Sequence, residues 1–161
     1  MELEELDAAI RLWQDTEAIK KLRATYCYLT DAQKMQEVVG LFTQNARLDF
    51  GGVCYEGREG LEAFFLQLIP NQLSFSMHMV HNPIIEVHGH RATGKWYFEA
   101  PTTFKPDNKA FWLAGIYEEE YVRQEGEWKI DSLKAIFNYT APYEQGWAPT
   151  QQQRNEESPI T

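Results

Sequence analysis

The chain has 161 residues, of which 43% are hydrophobic and 14% aromatic, and its formal net charge is −9. That length suits one domain able to bury its own core, and the negative charge repels nucleic acid and anionic membranes. No stretch approaches the roughly 18 consecutive apolar residues of a membrane-spanning helix. The acidic, amphipathic N-terminus is unlike a signal peptide, and two cysteines make no disulfide framework. Cys27 and Cys54 lie in apolar stretches and read as buried thiols of a reducing, cytoplasmic compartment.

Leu6, Ile10 and Trp13 have helical spacing, and Ile19, Leu22, Tyr26 and Leu29 continue it. Asp15-Thr16 between them predicts a cap that separates two helices. A third helix is expected from about Asp31 to Phe42, with Met35, Val38, Val39 and Phe42 on one face. Ala46, Leu48 and Phe50 alternate with Arg47 and Asp49 as in a strand, and Gly51-Gly52 turns the chain. After Gly57 the stripe Leu61, Phe64, Phe65, Leu68, Ile69 predicts a helix that Pro70-Asn71 ends.

From Leu73 the period becomes that of strands, over 73–87, 91–104, 110–123 and 127–139. His88-Gly89-His90, Pro106-Asp107-Asn108 and Gln124-Glu125-Gly126 separate them as hairpin signals. A break is expected near Asn82-Pro83, because proline cannot donate to a ladder. Helices followed by an antiparallel meander define the α+β class, with helices packed on one face of a strongly bent, cone-like sheet. Residues 1–147 read as one domain, and 148–161 as a flexible polar tail rich in Gln, Glu and Ser.

The high aromatic content suggests a roomy interior that could hold a flat apolar ligand. Ser74, Ser76, His78 and Val80 share one strand face, and Leu73, Phe75, Met77 and Met79 the other. His78 reads either as a hydrogen-bonded structural residue or as a proton-transfer group. Asp31, where two helices meet, reads as an N-cap or as the carboxylate that orients an imidazole. Tyr26 is a core aromatic on the Leu22/Leu29 stripe or a hydroxyl donor to a developing oxyanion. His78/His81 and His88/His90 lack the further ligands of a zinc site, and no phosphate loop or nucleophilic serine elbow is present. No metal and no cofactor are therefore expected.

The run Ala18-Ile19-Lys20-Lys21-Leu22, through Tyr26 to Asp31, resembles the N-terminal helix of SnoaL-like proteins of the nuclear-transport-factor-2-like superfamily. Ser76-Met77-His78-Met79-Val80-His81-Asn82-Pro83 and Gly94-Lys95-Trp96-Tyr97-Phe98-Glu99 resemble the bile-acid 7α-dehydratases of that family. Ala114-Gly115-Ile116-Tyr117 through Tyr121, with Trp128-Lys129 and Asn138-Tyr139-Thr140, resembles its hexachlorocyclohexane dehydrochlorinases, and scytalone dehydratases are more distantly similar. The resemblance spans roughly residues 10–147. It implies a cone-shaped α+β barrel and a homotrimer. It also implies a cofactor-independent lyase in which His78 removes a proton while Asp31 orients it and Tyr26 assists. The sequence departs from the bile-acid pattern at Ala100 and at Phe137, where an acidic residue and an arginine are expected. Phe137 and the aromatic tail Tyr143 to Trp147 point to a more apolar ligand. Trp96, Phe98, Phe50, Trp112, Phe137 and Asn138 are the expected substrate contacts. A small, largely apolar cyclic substrate is expected. The rivals are a ketosteroid-isomerase-like proton-transfer enzyme and a non-catalytic ligand-binding or assembly subunit.

Overall fold

A computed structural model describes residues 2–148; the expected polar tail lies outside this range apart from its first residue. The first helix, α1, spans Leu3–Asp31 without interruption, so the predicted break at Asp15-Thr16 does not occur. The segment holds no Gly or Pro to stop it. Thr16 turns its hydroxyl back to the Leu12 carbonyl at 2.8 Å, as a hydroxyl inside a helix does. The Asp15 carboxylate instead accepts from Arg123 Nη1 at 2.7 Å and Trp128 Nε1 at 2.9 Å. The helix therefore lies clamped to the sheet at its middle. Beyond the clamp Ile19, Leu22, Arg23, Tyr26, Cys27 and Thr30 are buried, three and four residues apart.

Gln33, at φ 57°, reverses the chain into a short α2, Met35–Gly40, much briefer than the helix predicted over 31–42. Strand β1 starts earlier than expected and runs Phe42–Phe50. The Gly51-Gly52 turn, which leads into β2 (Val53–Glu56), is held by a hydrogen bond from the Gly52 N–H to Asp49 at 2.9 Å. The next helical stretch is α3 (Gly57–Glu62), a π-helical segment (Ala63–Leu68) and α4 (Ile69–Gln72). Pro70 sits inside α4 near its start, where its missing N–H costs little.

The remaining strands are β3 (Leu73–Ser76), β4 (Met79–His88), β5 (Arg91–Phe104), β6 (Lys109–Gln124) and β7 (Glu127–Pro142). The sheet order is β2-β1-β7-β6-β5-β3, with β4 also paired to β5. The pair β1–β7 is parallel and the others antiparallel. The sheet bends at bulges in β6–β7, between Ala114 and Gly115 and between Glu120 and Tyr121. A Cβ on Gly115 would lie 2.0 Å from the Ile136 carbonyl oxygen, so only glycine allows the strands to approach so closely there. The result is a helical layer on a strongly curled sheet, the expected α+β cone.

Two sequence expectations are corrected in this region. Asn82-Pro83 makes a bulge, with Asn82 at φ 50°, but does not end β4. The break comes at Met77-His78, opposite Ala100-Pro101, where Pro101 has no N–H to offer a ladder. Cys27 is buried, whereas Cys54 is exposed, because on the edge strand β2 it is Tyr55 that packs on the helical layer, against Phe64, and Cys54 points to the other face.

Candidate active site

The break between β3 and β4 is what builds the site. Met77 N–H still donates to the Pro101 carbonyl at 3.0 Å. The next N–H, that of His78, points away from β5 and donates to both Asp31 oxygens, at 3.1 and 2.9 Å. His78 Nδ1 lies 2.7 Å from Asp31 Oδ1, and Ser76 Oγ donates to the same oxygen at 3.4 Å. Asp31 is the last residue of α1, at the negative end of the helix dipole, which alone disfavours a carboxylate. Three donors from one short stretch of strand offset that cost. Its side chain caps no helix; α2 begins at an N-cap Lys34 without a side-chain cap bond.

An ionised carboxylate only accepts, so Nδ1 carries the proton in that contact and Nε2 of a neutral ring keeps its lone pair. Among the described residues Nε2 has no hydrogen-bond partner. The imidazole and carboxylate side chains are 14% and 23% exposed. They open onto a cavity of about 280 Å³ whose other walls are Ala24, Cys27 and Tyr28 of α1 and Met77, Met79 and Val80. This is an apolar lining with one acid/base pair in it. The cavity lies between α1 and the β3–β4 break, and is not the roomy cone interior that the aromatic content suggested.

The interior is filled. Arg23 is fully buried, its guanidinium 4.2 Å from the Tyr26 ring and 4.0 Å from the Tyr117 ring. Its Nη1 lies 2.9 Å from Glu119 Oε1, but the approach is not aligned as a hydrogen bond, and the three guanidinium nitrogens and Oε1 have no hydrogen-bond partner among the described residues. Glu119 Oε2 accepts from Tyr121 OH, which accepts in turn from Trp96 Nε1 at 3.0 Å. Burial raises the pKa of Glu119, against the pull of Arg23. Burial also keeps the Tyr26 hydroxyl protonated well above the ordinary tyrosine range.

The predicted site residues therefore divide. Asp31 and His78 come together. Tyr26 is buried against Phe42, Phe65 and Arg23 and does not line the dyad's cavity. Trp96 and Phe98 are core residues, Phe98 stacking on Tyr117 at 4.2 Å. Phe50 and Phe137 meet edge to face at 5.0 Å, and Trp112 stacks on Tyr143 at 6.3 Å. Asn138 lines a separate open cleft with His81, Tyr97 and Glu99. None of these six borders the cavity that holds the dyad. Large aromatics at inward strand positions fill a small cone before they line a pocket. The residues sequence reasoning missed are Ser76, which donates to Asp31, Pro101, which cannot donate to the ladder opposite Met77, and Cys27, Met77 and Met79, which wall the cavity. Pro101 opposite a strand was the available signal. No group of three or more His, Cys, Asp or Glu that could hold a metal ion occurs among the described residues. No helix there is long and apolar enough to cross a membrane.

Residues 11–134 match the SnoaL-like domain family. The chain belongs to that family. A hexachlorocyclohexane dehydrochlorinase from Novosphingobium barchaimii has the same fold at 20% identity and a TM-score of 0.76, over 83% of this chain and 93% of that one. A candidate scytalone dehydratase from Novosphingobium aromaticivorans matches at 20% identity and a TM-score of 0.76, over 81% and 89%. A Mycobacterium tuberculosis protein of unknown function matches at 22% identity and a TM-score of 0.71, over 81% and 75%. A comparison with curated proteins finds no match. At these identities the structural likenesses speak to the fold.

Proposed function

We propose that this SnoaL-like protein is a cofactor-independent lyase whose base is His78, held by Asp31, acting on a small, largely apolar cyclic compound. The observation that carries the reading is the 2.7 Å contact between His78 Nδ1 and Asp31 Oδ1 at the wall of an apolar cavity. Asp31 also accepts from the His78 N–H and Ser76 Oγ, so it is an orienting group and His78 Nε2 is the base. In the reaction Nε2 takes the proton of an acidified C–H. The C–H electron pair becomes the double bond, and the leaving group on the neighbouring carbon departs with its bonding pair. A halide leaves as the anion, and the imidazolium then gives its proton to water. A hydroxyl takes the proton back from the imidazolium and leaves as water. Asp31 stabilises the imidazolium between the two steps. The dehydrochlorinase and candidate dehydratase among the structural neighbours agree with this class.

A proton-transfer isomerase would begin with the same abstraction. The test is turnover of cyclic substrates bearing a leaving group next to an acidic C–H, run in D2O, with halide or alkene product measured beside deuterium exchange. Wild-type protein is expected to release the leaving group, and His78→Ala and Asp31→Asn to lose that activity while far-UV circular dichroism is unchanged. Retained turnover in both variants would refute the dyad. Exchange without release of a leaving group would make the protein an isomerase, and ligand binding without either would make it a binding module.

A further inference from the structure

The wall of the dyad's cavity carries a large side chain that the mechanism does not use. Ala24, Cys27, Tyr28 and Asp31 are spaced three, one and three along α1, so a single helix face supplies that side of the cavity. The face is graded in depth. Cys27 is 6% exposed and closes the floor, whereas Tyr28 is 78% exposed and stands at the mouth. Among the described residues the Tyr28 side chain has no hydrogen bond, ion pair or ring contact. Tyr26, two residues earlier, is packed against Phe42 and Phe65, so of the two tyrosines it is Tyr28 that a ligand in this cavity meets. On the strand side Met77 and Met79 flank His78, and thioethers yield to irregular apolar shapes.

The same walls limit what can enter. Their volume is about 280 Å³. An apolar cavity of about 150 Å³ accepts benzene, and drug-sized ligands take about 300–1,000 Å³, so one substituted ring fits and a four-ring skeleton does not. No Lys or Arg is among the lining residues, and the carboxylate there is Asp31. A carboxylate or phosphate on the ligand would therefore be desolvated beside a like charge without a cation to offset it. Resting on the lyase reading above, we propose that Tyr28 is the specificity-determining residue of the site. It takes a neutral, single-ring substrate against its ring face, with Met77 and Met79 as the adaptable wall. Ring–ring contact binds beyond the area it buries, and the Tyr28 hydroxyl is dispensable in this role.

The experiment is titration of full-length wild type, Tyr28→Ala and Tyr28→Phe with p-cresol, an uncharged single ring, followed by saturation-transfer NMR. The comparison compounds are 4-methylbenzoate, which is charged, and progesterone, which has four rings. Wild type should bind p-cresol and neither comparison compound. Tyr28→Ala should weaken p-cresol roughly five- to tenfold, and Tyr28→Phe by less than about twofold. Melting temperature should hold in both, because position 28 is exposed. On any compound the protein turns over, Tyr28→Ala should raise KM, while His78→Ala lowers kcat. Wild type that does not bind p-cresol overturns the assignment, as does Tyr28→Ala that binds it equally well. An equal loss in Tyr28→Phe would move the role to the hydroxyl, and binding of 4-methylbenzoate or progesterone at the p-cresol affinity would remove the selectivity; either overturns it too. Binding that depends on the Tyr28 ring in a protein without elimination turnover would support the assignment and refute the lyase reading. Turnover that needs His78, with KM unmoved in Tyr28→Ala, would do the reverse.

Discussion

Two histidine–carboxylate pairs stand three residues apart on the same stretch of strand and differ in nearly everything that matters for chemistry. His78 and Asp31 meet at 2.7 Å with side chains 14% and 23% exposed. His81 and Glu99 meet at 3.4 Å with 47% and 49% exposed. The first pair joins the end of a helix to a break in a strand, and its carboxylate accepts from a backbone N–H and a serine as well. The second spans two neighbouring strands, Tyr97 facing His81 in the register, and no other donor to Glu99 holds it. An exposed pair of that kind contributes about 0–1 kcal/mol and trades partners with water. Equal residue types therefore become a candidate acid/base device or a solvated contact according to whether the backbone over-determines their geometry.

The largest expected effect separates the pairs by rate. His78→Ala should lower elimination turnover by about 10²–10⁴-fold, the usual worth of a positioned general base, while steady-state assays of His81→Ala stay near wild type. Equal losses in the two variants would erase the distinction. Next comes the buried charge behind the site. Arg23→Met leaves Glu119 buried without its cation and should cost about 3–5 kcal/mol in urea denaturation, with Arg23→Met/Glu119→Leu recovering most of it. A loss under 1 kcal/mol for the single variant would mean that the pair is solvated in solution. A smaller effect concerns Tyr26. Tyr26→Phe keeps the ring between Arg23, Phe42 and Phe65, so as a packing residue it should cost around 1 kcal/mol with turnover held. A hundredfold fall in turnover with an unchanged melting temperature would restore the hydroxyl to the mechanism.

The smallest effect reads out the cysteines. Burial raises the Cys27 thiol pKa, with Arg23 opposing, so its thiolate is scarce at neutral pH and a thiol-reactive dye should label Cys54 first. The sign follows from linkage. A thiol whose folded-state pKa is raised contributes stability that is present below its unfolded pKa and lost as pH rises through the folded value. Cys27→Ala should therefore flatten the alkaline fall in stability, measured as urea midpoint against pH. Labelling of both thiols at one rate in native protein would show that the dyad's cavity admits the reagent freely.

Periodicity carried the fold class, because the second half of α1 and the strand β5 each present one face to the core. In β5 the buried residues Ala92, Trp96, Phe98 and Ala100 alternate with exposed ones. The expected helix break at Asp15 failed for the opposite reason. Its side chain found Arg123 and Trp128, more than a hundred residues away, and no local pattern encodes such partners. Chain order also made Asp31 and His78 candidates, through residue type and family resemblance. What the sequence alone determined is therefore local: helix and strand periods, turn residues, and a histidine and a carboxylate of suitable chemistry. Only the tertiary structure decided that the strand breaks opposite Pro101, that the outward-pointing His78 N–H meets Asp31, and that the large aromatics fill the cone instead of lining the cavity. Hydrogen-bond partners and packing volume are set by elements far apart in the chain, and they exist only once the sheet has curled around α1.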